Sequence, residues 1–315
     1  MIQIEDVDWD IDELKSNVVG CGIIPYSINE DGKYVVLLGQ ETFVARWRGS
    51  LKWSGFEGGR KFGESVEISA SREFIEESMG VVSIDGVNNA TIEDVHQFLL
   101  QKKFMARVLV CILHENNGEQ QKRYQLTYLI NIPYDEKCTH SFEKLRADFL
   151  DLNAKLIEHK KMLNTICNNE LPFIREGSIV KGNKVKAIID VFVSNKNELV
   201  VTYLEECGIQ KLRKEVPNNE TLSLYLRWFS SRLHLDKEVK AVSNLINAIS
   251  IERNCNGLFV DATINEEYLE KQAIKWWDLD TLNKVLQYRG NYNGDFFRAY
   301  FLPVLQRCIQ ELEKH

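Results

Sequence analysis

The apolar positions of this chain follow two periods. Val18 to Ser27 (VVGCGIIPYS) and Tyr34 to Leu38 (YVVLL) are short apolar runs around a turn-rich Asn29-Glu30-Asp31-Gly32, so they predict two strands. Phe104 to Leu113 and Arg123 to Ile132 predict a second hairpin, turning at Asn116-Asn117-Gly118 and ended by Pro133. Val185 to Val193 and Leu199 to Leu204 predict a further strand pair across residues 194–197. Helical spacing marks residues 91–100 (TIEDVHQFLL), Phe142 to Cys167, Glu220 to Leu233, Lys237 to Ile251 and Asp295 to Glu313. Leu222, Leu226, Phe229 and Leu233 share one face of the third of these, and Pro303 kinks the last or marks its first turn. Residues 1–16 are an acidic lead-in with room for a short helix, and Gln40 to Gly55 predicts a loop. The order of elements gives an α/β protein.

Composition narrows this little. A chain of 315 residues with net charge −7 and 44% apolar residues can form one large domain or two small ones. No run of about 18 apolar residues appears, so no membrane partner is expected. The N-terminus has neither a signal-peptide core nor a basic transit pattern. The seven cysteines are scattered without a CxxC pair, which predicts reduced thiols and a cytoplasmic location. A pI near 5.6 argues against a general nucleic-acid binder, and DNA is not an expected partner. His114, His140 and His159 show no ligand spacing.

The stretch from Gly58 to Gly80, GGRKFGESVEISASREFIEESMG, changes the picture. Glu73, Glu76 and Glu77 stand at i, i+3 and i+4, so a helix puts all three carboxylates on one face. They repel one another unless a cation sits among them. The preceding loop offers glycines for close backbone approach and Arg60 and Lys61 for phosphate. Carboxylates beside such a loop suit Mg²⁺ (or Mn²⁺) better than a solvated face does.

The spacing G-x5-E-x7-R-E-U-x-E-E-x-G-U is that of the Nudix box, U being bulky and apolar. Gly58, Glu64, Arg72, Glu73, Phe74, Glu76 and Glu77 stand in register, and the chain is identified by resemblance as a member of that hydrolase superfamily. It departs at position 79, where Met79 replaces the expected glycine and Gly80 follows; one extra residue with Gly80 as the helix stop accounts for this. The lead KWSGFEGGRKFGES and the terminal FRAYFLPVLQ resemble a decapping-like subgroup found in large DNA viruses and some microbial eukaryotes. Glu267 to Leu282 resembles the closing strand and short helix of the family. The resemblance implies a Nudix α/β/α sandwich with a mixed sheet. Residues 1–135 and 261–315 would form it, and 136–260 would be an inserted α/β subdomain.

The same resemblance implies roles. Glu73, Glu76 and Glu77 would be metal ligands, with Glu73 a general base. Arg72 would orient the box, with Glu64 its partner. A backbone carbonyl from Gly58 or Glu57 would reach the metal. A further acid would come from outside the box, with Glu270 the first candidate and Glu267 the second. Arg60 and Lys61 are candidates for phosphate. Arg46, Trp47 and Arg48 could stack a base and hold its phosphate, and Trp276 could stack a purine. Glu77→Gln is expected to abolish turnover with little effect on folding, as for an exposed helix acid.

The implied activity is Mg²⁺-dependent cleavage of a diphosphate in a nucleoside diphosphate linked to another group. Capped RNA is one substrate class. The alternative is a small nucleotide such as ADP-ribose, NAD(H) or a dinucleoside polyphosphate. Residues 136–260 hold 19 Lys plus Arg against 16 Asp plus Glu, net +3, which leaves −10 elsewhere. That bias suits an RNA-contacting lobe, while a lid or dimerisation lobe fits as well. A non-catalytic nucleotide-binding module would be expected to lack box glutamates, and these are all present.

Overall fold

The computed structural model describes residues 2–4, 17–88, 90–116, 119–165, 179–180, 183–184, 186–193, 198–205, 208–215, 249–254 and 259–314. The chain forms two compact units, one from Met1–Arg146 with Glu266–His315 and the other from Ala147–Asn265.

The first unit is a mixed α/β structure. Its strands are β1 (Ile2–Ile4), β2 (Val18–Ile28), β3 (Tyr34–Glu41), β4 (Lys52–Ser54), β5 (Phe56–Gly59), β6 (Ala106–Asn116) and β7 (Glu119–Asn131). Helices α1 (Val66–Ser78) and α2 (Ile92–Leu100) lie between β5 and β6, and α3 (Cys138–Thr165) follows β7. In the second unit β8 (Ile179–Val180) pairs with β9 (Asn183–Lys184). The strands β10 (Ala187–Val193), β11 (Glu198–Glu205) and β12 (Gly208–Glu215) form a three-stranded antiparallel sheet, and β13 (Ile249–Asn254) pairs with β14 (Phe259–Ile264). Back in the first unit come β15 (Lys271–Asp278), α4 (Leu279–Gln287), β16 (Asn291–Tyr292), β17 (Asp295–Phe297) and α5 (Phe301–Leu312).

The large sheet runs β1-β6-β7-β2-β3-β4-β17-β16, with β15 on β3 and β5 on β2. It forks at Gly55. Before that residue β4 pairs with β3, and after it β5 pairs with β2 through Gly20–Ile23. Glu41, Ser54, Glu57 and Lys271 therefore stand near strand ends on both branches. Side chains alternate across a strand. Phe56 faces α1, where it meets Phe74 edge-on at 5.4 Å. Ile24, Tyr26, Val36, Leu38 and Trp53 pack with Val304, Leu305 and Ile309 of α5 and Leu282 and Val285 of α4. Helices thus cover both faces of a central sheet.

Several expectations change. Ile2–Ile4 is a strand on β6 rather than part of a helix, because β6 offers a free edge; residues 5–16 lie outside the described ones. Lys52–Ser54 is a strand inside the expected loop. Residues 295–313 divide into β17 and α5, with Pro303 in the first turn of the helix. Tertiary pairing wins there: Phe297 pairs with Trp53, whose indole N–H donates to Asp295 Oδ1 at 2.9 Å. The predicted helix Glu220 to Leu233 lies outside the described residues, as does Lys237 to Ile251 except at its end, where Ile249–Ile251 is strand.

Candidate functional site

The helix α1 starts at Ser65, whose hydroxyl accepts from Ile68 N–H at 3.1 Å. Val66, Ala70 and Phe74 recur every four residues and bury one stripe. The helix ends at Met79, which takes the left-handed conformation itself (φ 54°) as Gly80 does after it (φ 64°), so the stop begins one residue earlier than expected. That conformation costs a non-glycine residue roughly 1–2 kcal/mol. Burial of the Met79 side chain offsets it. Glu76 and Glu77 lie in the last turn, which contains no basic residue. They therefore face the negative end of the helix dipole and need positive charge from elsewhere.

Arg72 supplies part of it. Its Nε donates to Glu64 Oε1 at 2.8 Å, and one terminal nitrogen reaches Glu73 Oε1 and Glu76 Oε2, each at 2.8 Å. The other donates to the Gly59 carbonyl at 2.9 Å and to Glu64 Oε2 at 3.1 Å. One planar guanidinium thus fastens the loop to the helix. Burial would raise the Glu64 carboxyl, but its hydrogen bonds to Arg72 and to Lys61 N–H outweigh burial and hold it low. Gly58 is needed for contact rather than for an unusual φ. A Cβ there would stand 2.4 Å from Glu73 Oε2.

Behind the helix lies a second set of charges. Lys271 is fully buried, and its ammonium stands 2.7 Å from Glu41 Oε1, 2.9 Å from Ser54 Oγ and 3.1 Å from Glu77 Oε1. Arg298 donates to the same Glu41 oxygen at 2.7 Å. Glu77 Oε2 accepts from Glu57 N–H at 2.7 Å. Burial works to raise Glu41, but Lys271 and Arg298 outweigh it and hold the carboxyl low. Glu77 has only its share of one ammonium, and burial pushes its carboxyl well up. Burial also raises Glu57, whose Oε1 has no hydrogen-bond partner. Glu73 and Glu76 are each pushed up to about 7 by burial, against the pull of Arg72. Glu270, at the entrance to β15, is raised by burial and then by Glu41.

Two cavities open here. One of about 340 Å³ is lined by Glu41, Trp47, Glu57, Gly58, Glu77, Gln125, Glu270, Arg298 and Tyr300, among others. The other, of about 480 Å³, is lined by Glu41, Thr42, Val44, Trp47, Glu266, Glu267, Leu269 and Glu270. Among the described residues no three ligating side chains stand ready at coordinating distance. The donor chemistry nevertheless fits a hard divalent ion: hard oxygen donors, a partnerless buried carboxylate oxygen, and carboxyls raised by burial.

No protein-family model matches the chain. No curated protein matches it. A solved Nudix hydrolase from M. smegmatis, RenU, is 15% identical over 37% of this chain and 63% of its own length, with TM-score 0.24. An Ap4A hydrolase from C. elegans is 20% identical over 38% of this chain and 70% of its own, with TM-score 0.23. A bifunctional NMN adenylyltransferase/ADP ribose pyrophosphatase from Francisella tularensis, solved with AMP and a manganese ion, is 16% identical over 38% and 29%, with TM-score 0.23. At such scores the likeness carries no weight of its own.

The remaining candidates are distributed unevenly. Arg60 turns inward, its Nε donating to the Glu64 carbonyl at 2.9 Å. Lys61 pairs with Glu267 at 2.7 Å and stands 4.0 Å from Glu76. Arg46 and Arg48 are exposed on the loop before β4, Arg46 with φ 67°. Trp47 is 41% exposed and walls both cavities. Its ring covers Gly49, where a Cβ would clash at 2.5 Å, and the Arg298 guanidinium lies 5.2 Å from the ring centre. Trp276 is elsewhere. Its indole N–H donates to the Asp135 carbonyl at 3.0 Å and its ring meets Tyr134, five residues or roughly 17 Å along β15 from Lys271. Glu77 is 2% exposed and held on both oxygens, so the expectation of an exposed helix acid is corrected.

Sequence reasoning missed Glu41, Lys271 and Arg298. The one local signal was Ser54 in the W-S-x-F-x-G-G lead, a polar residue between two aromatics that turn into cores, which marks a buried polar partner.

Proposed function

We propose that this chain is a divalent-metal-dependent hydrolase of the Nudix type, cleaving a diphosphate within a nucleoside diphosphate linked to another group. The observation that carries the reading is the lock between the Gly58–Ser65 loop and α1, in which Arg72 ties Glu64, Gly59, Glu73 and Glu76 together while Gly58 makes room for Glu73. Mg²⁺ or Mn²⁺ bound there would place positive charge on phosphate oxygens and activate a water. Glu73, Glu76 and Glu77, a carbonyl of the Gly58 segment and Glu270 would hold it. Arg72 and Glu64 keep the acids in place. Lys61 stands beside Glu76, where it can meet a phosphate.

In its finer form the proposal takes the mRNA 5′ cap as substrate, which gives a capped nucleoside diphosphate and RNA with a 5′-monophosphate. Support comes from Trp47, an indole close against Gly49 in a cavity that Glu266, Glu267 and Glu270 also line. An indole among carboxylates favours a base bearing positive charge, as a methylated guanine does. An uncharged purine stacks on the same ring, so a small nucleotide such as ADP-ribose or a dinucleoside polyphosphate is the alternative. Residues 136–260 are then the inserted lobe that would meet RNA. The buried thiols of Cys21, Cys138 and Cys308 support a reducing, cytoplasm-like setting. Among the described residues no helix is long and apolar enough to cross a membrane.

The test is incubation with Mg²⁺ or Mn²⁺ and cap-labelled RNA, and separately with small nucleotides. Label released from RNA and not competed by free cap analogue supports decapping. Turnover of small nucleotides alone moves the substrate to the alternative. Tight binding without turnover of anything overturns the enzymatic reading.

A further inference from the structure

Lys271 is the most deeply buried cation described, and the reaction proposed above gives it no part. Its ammonium contacts three oxygens, from Glu41, Ser54 and Glu77, at 2.7, 2.9 and 3.1 Å. Two carboxylates and a hydroxyl converging on one point form the kind of oxygen set that takes a hard cation. The approach is built into the backbone. Gly39 faces the lysine stem, and a Cβ there would stand 3.0–3.1 Å from the Lys271 side-chain carbons. Being tethered to the chain, this group cannot exchange with ions in solution as a bound metal does.

We propose that the Lys271 ammonium is a resident cation, occupying between Glu41, Ser54 and Glu77 a position that a divalent ion would otherwise fill. The chain therefore takes up one divalent ion fewer than its acids could hold. Lys271 also fixes Glu77 from behind, and through the shared Glu41 oxygen it links Glu77 to Arg298 and the Trp47 wall. It is a positioning residue: it acts through Glu77 and touches no substrate. The inference draws on the metal-dependent reading for the use of Glu77, but the ammonium's contacts stand without it.

The experiment counts Mn²⁺ bound per chain by electron paramagnetic resonance titration, in wild type and in Lys271→Met. The substitution is expected to add one Mn²⁺ per chain, and a second change, Glu41→Gln, to remove the added ion. An unchanged count in Lys271→Met overturns the proposal. Wild type that binds no Mn²⁺ speaks against the metal-dependent reading, while the difference between the two proteins still decides the resident cation. If Lys271→Met fails to fold, amine acylation of the wild type, read by mass spectrometry, takes its place. Lys271 is expected to stay unmodified with and without Mn²⁺. Modification that appears when Mn²⁺ is added would mean that the metal displaces the ammonium, which also overturns the proposal.

Discussion

Two charged clusters share the acids of α1, and they are built in opposite ways. The first is tied by Arg72 and draws its partners from residues 59–76. The second is tied by Lys271 and draws from residues 41, 54, 77 and 271, with Arg298 joining at Glu41. The first lies at a loop, with its cation placed by the same helix turn that places the acids. The second is buried where the sheet forks, with its cation delivered by a strand almost two hundred residues further along the chain. Local spacing can place a guanidinium among carboxylates, but only the completed sheet can place an ammonium behind them. Glu77 joins them through the chain: it follows Glu76 on the helix and belongs to the buried set by its contacts.

The largest effect should follow from breaking that shared residue. Glu77→Gln is expected to lower turnover by about 10²-fold or more, as loss of a preorganised charge does. It should also cost roughly 1.5–3 kcal/mol in denaturant unfolding, since a charged hydrogen-bond partner of Lys271 and of Glu57 N–H is lost. A loss of activity with unchanged stability would show that the second cluster does not hold Glu77 at all. Next comes Gly58→Ala, which pushes a methyl into the Glu73 carboxylate. It should reduce turnover strongly and change stability little, because the displaced atoms are the end of a flexible side chain. Equal turnover would mean that Glu73 need not sit where the loop holds it.

A smaller effect distinguishes the clusters by pH. Glu73 and Glu76 have carboxyls near 7 in the folded chain against an ordinary 4.5. The folded state thus binds more protons than the unfolded state between those values. Stability of the metal-free protein should be fullest below about pH 4.5 with respect to these groups and fall as pH rises through 7. Mg²⁺ should flatten the fall by replacing the protons. Glu41, already held low by Lys271 and Arg298 against burial, should contribute the opposite slope at acid pH. Thermal melts at several pH values, with chelator and with Mg²⁺, check this. The smallest effect belongs to Trp276→Phe, which loses one hydrogen bond to the Asp135 carbonyl. About 1 kcal/mol of stability and no change in turnover are expected. A raised KM would return Trp276 to the site.

These contrasts show what a single chain reveals about itself. The glycine–glutamate–arginine spacing from Gly58 to Glu77 was readable because a helix repeats every 3.6 residues and one arginine can bridge its own turn. The paired strands were readable from apolar runs and turn residues. The helix stop was not, because burial of Met79 offsets a conformation that glycine would adopt freely. Asp295–Phe297 reads as helix in isolation and becomes strand because β4 offers it an edge. Lys271 next to Glu270 looks like an ordinary surface pair, and only the register of β15 on β3, with Lys271 opposite Glu41, turns it inward. Trp276 and Trp277 carry the same ambiguity, and the sheet resolves it by burying Trp277 between Trp53 and Phe297.

On the proposed reading, the acids of α1 hold a divalent ion and act on a diphosphate. The most direct measurement is turnover of nucleoside diphosphate compounds and cap-labelled RNA by wild type and by the Glu76→Gln/Glu77→Gln double variant, each with Mn²⁺ and with chelator. Metal-dependent release of products split at the diphosphate by wild type, lost in the double variant and under chelation, is the predicted result. Equal release with and without the two glutamates, or no release by wild type with Mn²⁺ from any of these compounds, would contradict it.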